Sequence, residues 1–192
     1  MNYIVCTYGG SGSWMLINYL KNFGTTYHIH DRYLPKYLTR PNPENEQFSS
    51  VAVDPSKYKV IFIYRDPVKA IFSRFNSKYH LINIKSKEIN FKSIFTDKKD
   101  KFGLTEFYNN YMNKSERNYP IYCVKYETFF DNIDEFDRVL DLDLDLFGKK
   151  ISRPIKKETP RNYDMNQYNH LLEIYKDLLK DMENRPPIFI NN

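Results

Sequence analysis

The chain has 192 residues, 41% hydrophobic, 28% charged and 17% aromatic, which is enough for one domain around a single core (residues 1–192) and short for two. Its 17 Tyr and 14 Phe exclude wholesale disorder, since disordered chains lack the bulky apolar groups that offset ordering entropy, and no apolar run approaches the roughly 20 residues of a membrane span. Twenty-nine Lys+Arg against 24 Asp+Glu leave a formal charge of +5, and its distribution matters more than its size: residues 131–145 are acidic, while the strip 149–161 is basic and can serve nucleic acid, an anionic small molecule or solubility alone.

In chain order, residues 3–7 (YIVCT) form an apolar run of strand length that ends in Tyr8-Gly9-Gly10-Ser11-Gly12-Ser13. With no basic region ahead of it, this start reads as a strand rather than a secretory leader, and a cytoplasmic protein is expected. Met15, Leu16, Tyr19, Leu20 and Phe23 fall at helical spacing, with Gly24 as the expected C-cap. Residues 26–30 (TYHIH) alternate and predict a short second strand, whereas 31–56, with four prolines, reads as loop. Residues 59–64 (KVIFIY) predict a strand covered on both faces. Asp66-Pro67 then opens a helix as N-cap and N1, with its apolar stripe at Val68, Ile71, Phe72, Phe75 and Tyr79. The lysine-rich section 80–103 gives no clear pattern. Helices are expected around 104–112 and 133–140, a strand at 120–126, and one long amphipathic helix from Tyr168 to Met182, stopped by Arg185-Pro186-Pro187. Cys6 and Cys123 sit in predicted strands, as buried reduced thiols, and no Cys/His spacing suits zinc. Strand–helix alternation of this kind predicts a three-layer α/β domain with a mostly parallel central sheet.

Two segments suggest anion binding. The first strand runs straight into a glycine-serine loop and a helix, where backbone amides and a helix N-terminus meet an anion. The loop lacks the lysine of G-x-x-x-x-G-K-[ST] and the third glycine of G-x-G-x-x-G, which disfavours a Walker-type NTPase and a dinucleotide fold. The second segment delivers Arg65 at a strand end and Ser73 two helical turns later. An arginine fork matches a phosphate bidentately.

Residues 4–14 (IVCTYGGSGSW), 59–74 (KVIFIYRDPVKAIFSR) and 121–130 (IYCVKYETFF) together resemble the sulfotransferases that use 3′-phosphoadenosine 5′-phosphosulfate (PAPS). In that family a loop T-Y-P-K-S-G-T-x-W wraps the 5′-phosphosulfate. Thr7, Tyr8, Ser11, Gly12 and Ser13 match it, Trp14 falls one place early, and Gly9 and Gly10 complete the loop. The family's R-[ND]-P-x-x-x-x-x-S binds the 3′-phosphate, and Arg65, Asp66, Pro67 and Ser73 fit every fixed position. Tyr126-Glu127 resembles a strand end near the adenine. The resemblance implies a P-loop-like sulfotransferase fold, PAPS as donor, 3′-phosphoadenosine 5′-phosphate (PAP) as product and no metal. It also implies a hydroxyl or amine acceptor on a small molecule, carbohydrate or protein; a monomer or homodimer with no nucleic-acid partner and no membrane span is expected.

Transfer by in-line displacement rests on positioning and charge stabilisation, with a base to take the acceptor proton. His30, at the end of the second strand where the family often carries a catalytic histidine, is the candidate base. His28 points to the same face, and carboxylates of 31–56 are alternatives. Gly10 stands where the family usually has Lys or Arg. Either another cation replaces it, from Arg32, Lys36 or the 149–161 strip with Lys156, Lys157 and Arg161, or the protein binds nucleotide and turns over poorly. The competing expectations are another nucleotide-dependent P-loop enzyme and a non-enzymatic module for polyanions.

Overall fold

The apolar run Val60-Ile61-Phe62-Ile63-Tyr64 forms the middle of a five-stranded sheet in the computed structural model, which describes residues 1–75, 95–148, 150–156 and 163–192. The strands are β1 Asn2–Cys6, β2 Thr25–Ile29, β3 Thr39–Asn42, β4 Gln47–Ala52, β5 Tyr58–Tyr64, β6 Ile121–Lys125 and β7 Ile188–Asn191. The helices are α1 Ser13–Leu20, α2 Pro67–Phe75, α3 Leu104–Met112, α4 Tyr126–Phe129, α5 Ile133–Val139, α6 Met165–Ile174 and α7 Lys176–Asn184. The sheet order is β2-β1-β5-β6-β7, parallel throughout except for β7, which pairs antiparallel with β6.

Alternation along β5 divides the core between the two faces of the sheet, as the strand period of two requires. Val60, Phe62 and Tyr64 pack with residues of α2, α3, α6 and α7, among them Ile71, Phe107 and Leu171. Ile61 and Ile63 pack with Leu16 and Leu20 of α1, Phe129 of α4 and Phe136 of α5. Helices therefore cover both faces, and the fold is the expected α/β class. Both cysteines are free and buried, and burial pushes the Cys123 thiol up to about 12, so neither is a reactive thiolate. Among the described residues no helix is long and apolar enough to cross a membrane.

The Asp66 cap forms as expected, its carboxylate accepting from Val68 and Lys69 N–H at 2.8 and 3.1 Å. Other local expectations change. The segment 31–56 contains an antiparallel hairpin, β3–β4, whose largely exposed strands carry no apolar alternation. It is held by docking: Glu46 C=O accepts from His30 N–H at 2.8 Å, and Asp31 accepts from Phe48 N–H at 3.0 Å. The expected long last helix is two, broken at Tyr175 (φ −103°, ψ 14°), whose ring is buried and whose hydroxyl donates to Asp100 at 2.7 Å. The four-residue β7 follows the proline stop, and only its pairing with β6 makes it a strand. Gly24 is not the cap of α1, which ends at Leu20 with Lys21 as its C-cap; a Cβ at position 24 would lie 2.1 Å from the Met1 carbonyl oxygen. Tyr79 and most of 80–103 lie outside the described residues.

Phe62 is fully buried and stacks on Tyr111 with ring centroids 4.3 Å apart. Phe62→Ala is expected to cost about 3–5 kcal/mol, read from the midpoint of urea denaturation.

Candidate functional site

The chain leaves β1 through α1 to β2 on one side, and β5 lies on the other side of β1. In an open α/β sheet that reversal opens a crevice beyond the carboxyl ends of the two strands. The glycine loop and Arg65 both fall there. Within the loop, Gly9 N–H donates to Thr7 Oγ1 at 3.0 Å and Ser11 Oγ donates to the Gly9 carbonyl at 3.2 Å. Gly10 (φ +67°) and Gly12 (φ +77°) are left-handed and tightly covered. A Cβ at 10 would lie 2.7 Å from the Ala70 carbonyl oxygen, and one at 12 would lie 2.2 Å from the Tyr126 ring. Gly12 starts α1 without a side-chain cap, so no side chain competes with an anion for the amides of the first turn.

Arg65 lies across this loop. Its Nη1 donates to the Gly10 carbonyl at 3.0 Å, its guanidinium carbon is 4.8 Å from the centre of the Tyr126 ring, and Glu127 Oε1 is 3.7 Å from Nε. Glu127 also accepts from Asp66 N–H at 3.1 Å. The side chain is only 16% exposed, and its Nε is buried without a hydrogen bond. The three sequence segments therefore meet at one place. Arg65 and the loop touch rather than lying at separate ends of a ligand, because β1 and β5 are paired neighbours and adjacent strands run about 4.8 Å apart. Burial raises the Glu127 carboxyl above its ordinary value, against the lowering effect of its hydrogen bonds and of Arg65.

Tyr8, expected on the ligand, is instead 1% exposed, packed edge-on against Phe62 and Phe107. Its hydroxyl accepts from Arg65 N–H at 2.8 Å and donates to the Arg65 carbonyl. Tyr8 is a positioning residue that ties the loop to the end of β5. The loop runs on to an exposed Trp14, whose ring meets His28 edge-on at 5.3 Å. Ser73 lies half-buried on α2, while Lys157 and Arg161 lie outside the described residues. No side chain fits at position 10, so a loop cation is sterically closed off by α2. Of the substitute cations, Lys36 is exposed and paired with Glu116 at 2.9 Å. Arg153 of the basic strip is bound to Asp134 and, at 2.9 Å, to Asp137. Arg32 alone of these three lines a cavity that also contains His30, and there it pairs with Glu106 at 2.7 Å.

Two cavities lie near the ends of β1 and β6, one beside α1 and α4 and the other beside Tyr8 and α3. One, of about 480 Å³, is lined by Met15, Tyr126, Phe130, Pro154 and neighbouring residues. The other, of about 440 Å³, is lined by Tyr8, His30, Arg32, Tyr33, Glu106 and Phe107 among others. His30 Nδ1 donates to the Thr7 carbonyl at 2.6 Å, a bond that leaves the lone pair on Nε2, and Glu46 Oε2 is 3.7 Å from that atom. Burial raises the Glu46 carboxyl. Glu46 is among the carboxylates of 31–56 expected as alternatives to His30, but its place beside His30 was not foreseen, and neither was the role of Glu127. Glu46 is 16 positions from His30 in a hairpin with no sequence signature, whereas the Tyr126-Glu127 pair was itself a visible signal.

Tyr8→Phe is expected to cost about 1–3 kcal/mol, the scale for leaving buried backbone groups without partners, measured by chemical denaturation. The raised Glu127 carboxyl stabilises the fold below its unfolded value and loses that contribution as pH rises through the folded value. Glu127→Gln keeps the acceptor for Asp66 N–H, so the variant should gain stability relative to the parent as pH rises above the ordinary glutamate value, where the buried carboxyl of the parent must ionise. A melting-temperature series across that rise in pH checks the sign. Comparison with protein-family models, curated proteins and solved structures gave no match for this chain.

Proposed function

We propose that this chain is a PAPS-dependent sulfotransferase, moving a sulfonate group from PAPS to a hydroxyl or amine acceptor by in-line displacement. The observation that carries the reading is the convergence of Gly10, Arg65 and Tyr126-Glu127 at the sheet's switch point, joining the three segments that resemble the family. PAPS supplies the activated sulfonate and leaves as PAP. The residues present suit it: a buried Arg65 Nε has an unmet donor, and α1 begins uncapped beside it. The cavity at Tyr126 and Phe130 has aromatic walls and room for a nucleoside. His30 lines the second cavity with its Nε2 set to accept an acceptor proton. Glu46, 3.7 Å away, stabilises the imidazolium that results.

A second reading, a PAP-binding protein with little transfer, is favoured by one observation. The Ala70 carbonyl occupies the space of a side chain at Gly10, so the loop has no cation of its own to neutralise the leaving group, a contribution of several kcal/mol where it is preorganised. Turnover of PAPS with a panel of acceptors separates the two.

Thermal melting with PAP, and with ATP plus Mg²⁺, tests the nucleotide assignment. PAP at 100 times its Kd should add about 2.7 kcal/mol, a clear rise in melting temperature, with little effect from ATP. Ser73→Ala, a mild change on a half-buried helix surface, should shrink the PAP shift without lowering the unliganded melting temperature. A shift with ATP and none with PAP would falsify the proposal.

A further inference from the structure

His28 in β2 and His30 just beyond it are two residues apart on one face of the chain, and their rings approach edge-on with centroids 4.5 Å apart. Glu46 reaches the same place from the turn of the β3–β4 hairpin. One ligand atom from each of the three, His28, His30 and Glu46, lies within 4.8 Å of the others. The grouping is built by the backbone. Glu46 holds a left-handed conformation (φ 54°) unusual for a residue with a side chain, and its carbonyl accepts the N–H of His30 at 2.8 Å.

The ring of His30 is held as a metal-ligating histidine is. His30 donates Nδ1–H to the Thr7 carbonyl at 2.6 Å, the outer-shell bond that fixes the tautomer of a ligating histidine and turns its other nitrogen to the ion. That nitrogen, Nε2, lies 3.7 Å from Glu46 Oε2. A tetrahedral ion with bonds of about 2.0–2.2 Å sets its ligand atoms about 3.4 Å apart, so this pair is nearly in place. Ser13 Oγ is 3.0 Å from His28 Nε2 and orients the second ring. Two imidazoles and one carboxylate form a borderline-soft set suited to zinc.

We propose that His28, His30 and Glu46 form a three-ligand site for a divalent transition metal ion, Zn²⁺ foremost, with the remaining position open. The site stands independently of the sulfotransferase reading. Where that reading also holds, the ion takes the Nε2 lone pair of His30, so metal binding and proton acceptance at His30 exclude each other and Zn²⁺ inhibits transfer.

The test is titration of the tag-free, metal-free full chain with Zn²⁺ by calorimetry, without nucleotide, and with Co²⁺ by visible absorption. One ion per chain is expected. Loss of even an outer-shell partner typically weakens binding about 10-fold or more, so His28→Gln and Glu46→Gln should each do at least that. His80→Gln and His170→Gln should leave it unchanged. Zn-edge X-ray absorption of the unsubstituted protein should show two imidazoles and no sulfur, an outcome independent of how the variants fold. Absence of saturable binding, equal affinity in His28→Gln and Glu46→Gln, loss of binding in His80→Gln or His170→Gln, or a sulfur ligand would each overturn the site. PAP binding and acceptor turnover are measured separately, so failure there leaves the metal result intact.

Discussion

The hydroxyl of Tyr8 sits between the N–H and the carbonyl of Arg65, accepting from one and donating to the other, and the geometry of the crevice follows from that pair of bonds. They join the second residue after β1 to the residue after β5. The ring that carries the hydroxyl is anchored by Phe62 and Phe107, and Phe62 and Phe107 both stack against Tyr111. An aromatic layer beneath the sheet's carboxyl ends thus holds the strand end whose side chain lies over the glycine loop. A loop of small residues has little packing of its own, and here its order comes from a core residue beside it.

Charge at the crevice comes from a guanidinium and a helix terminus rather than from a side chain in the loop. The covering of Gly10 by the α2 backbone closes that position, which also accounts for the glycine. Arg65 is held by a carbonyl, an aromatic face and a carboxylate. Such partners keep a buried cation oriented without satisfying all of its donors, and the raised Glu127 carboxyl marks the low polarity of the surroundings. Were an anion to bind as proposed, a cation fixed in this way would need little reorganisation.

His30 is set by two backbone bonds: its own N–H to Glu46 and its ring N–H to Thr7. The same bonds place Nε2 3.7 Å from Glu46 Oε2, the position on which both the proposed base and the proposed metal ligand rest. Proton and metal ion would compete for one lone pair, and the hairpin that carries Glu46 is the element both roles require.

Much of the fold was legible from local pattern. The two-sided run at β5, the helical stripe of α3, the Asp66-Pro67 cap and the strand–loop–helix at Gly9–Ser13 each depend on neighbours within a few residues, and periodicity and capping chemistry act at that range. What the amino-acid order alone determined was therefore the set of main elements and the alignment of loop, arginine and Tyr-Glu at the ends of three strands. Tertiary structure decided that Tyr8 turns inward, that Gly10 is closed by Ala70, that the β3–β4 hairpin brings Glu46 to His30, and that residues 188–191 become a strand. The physical reason is separation: Tyr8 and Arg65 are 57 positions apart. Contacts at that distance arise only when strands pair and helices pack, and they leave no local periodicity to read.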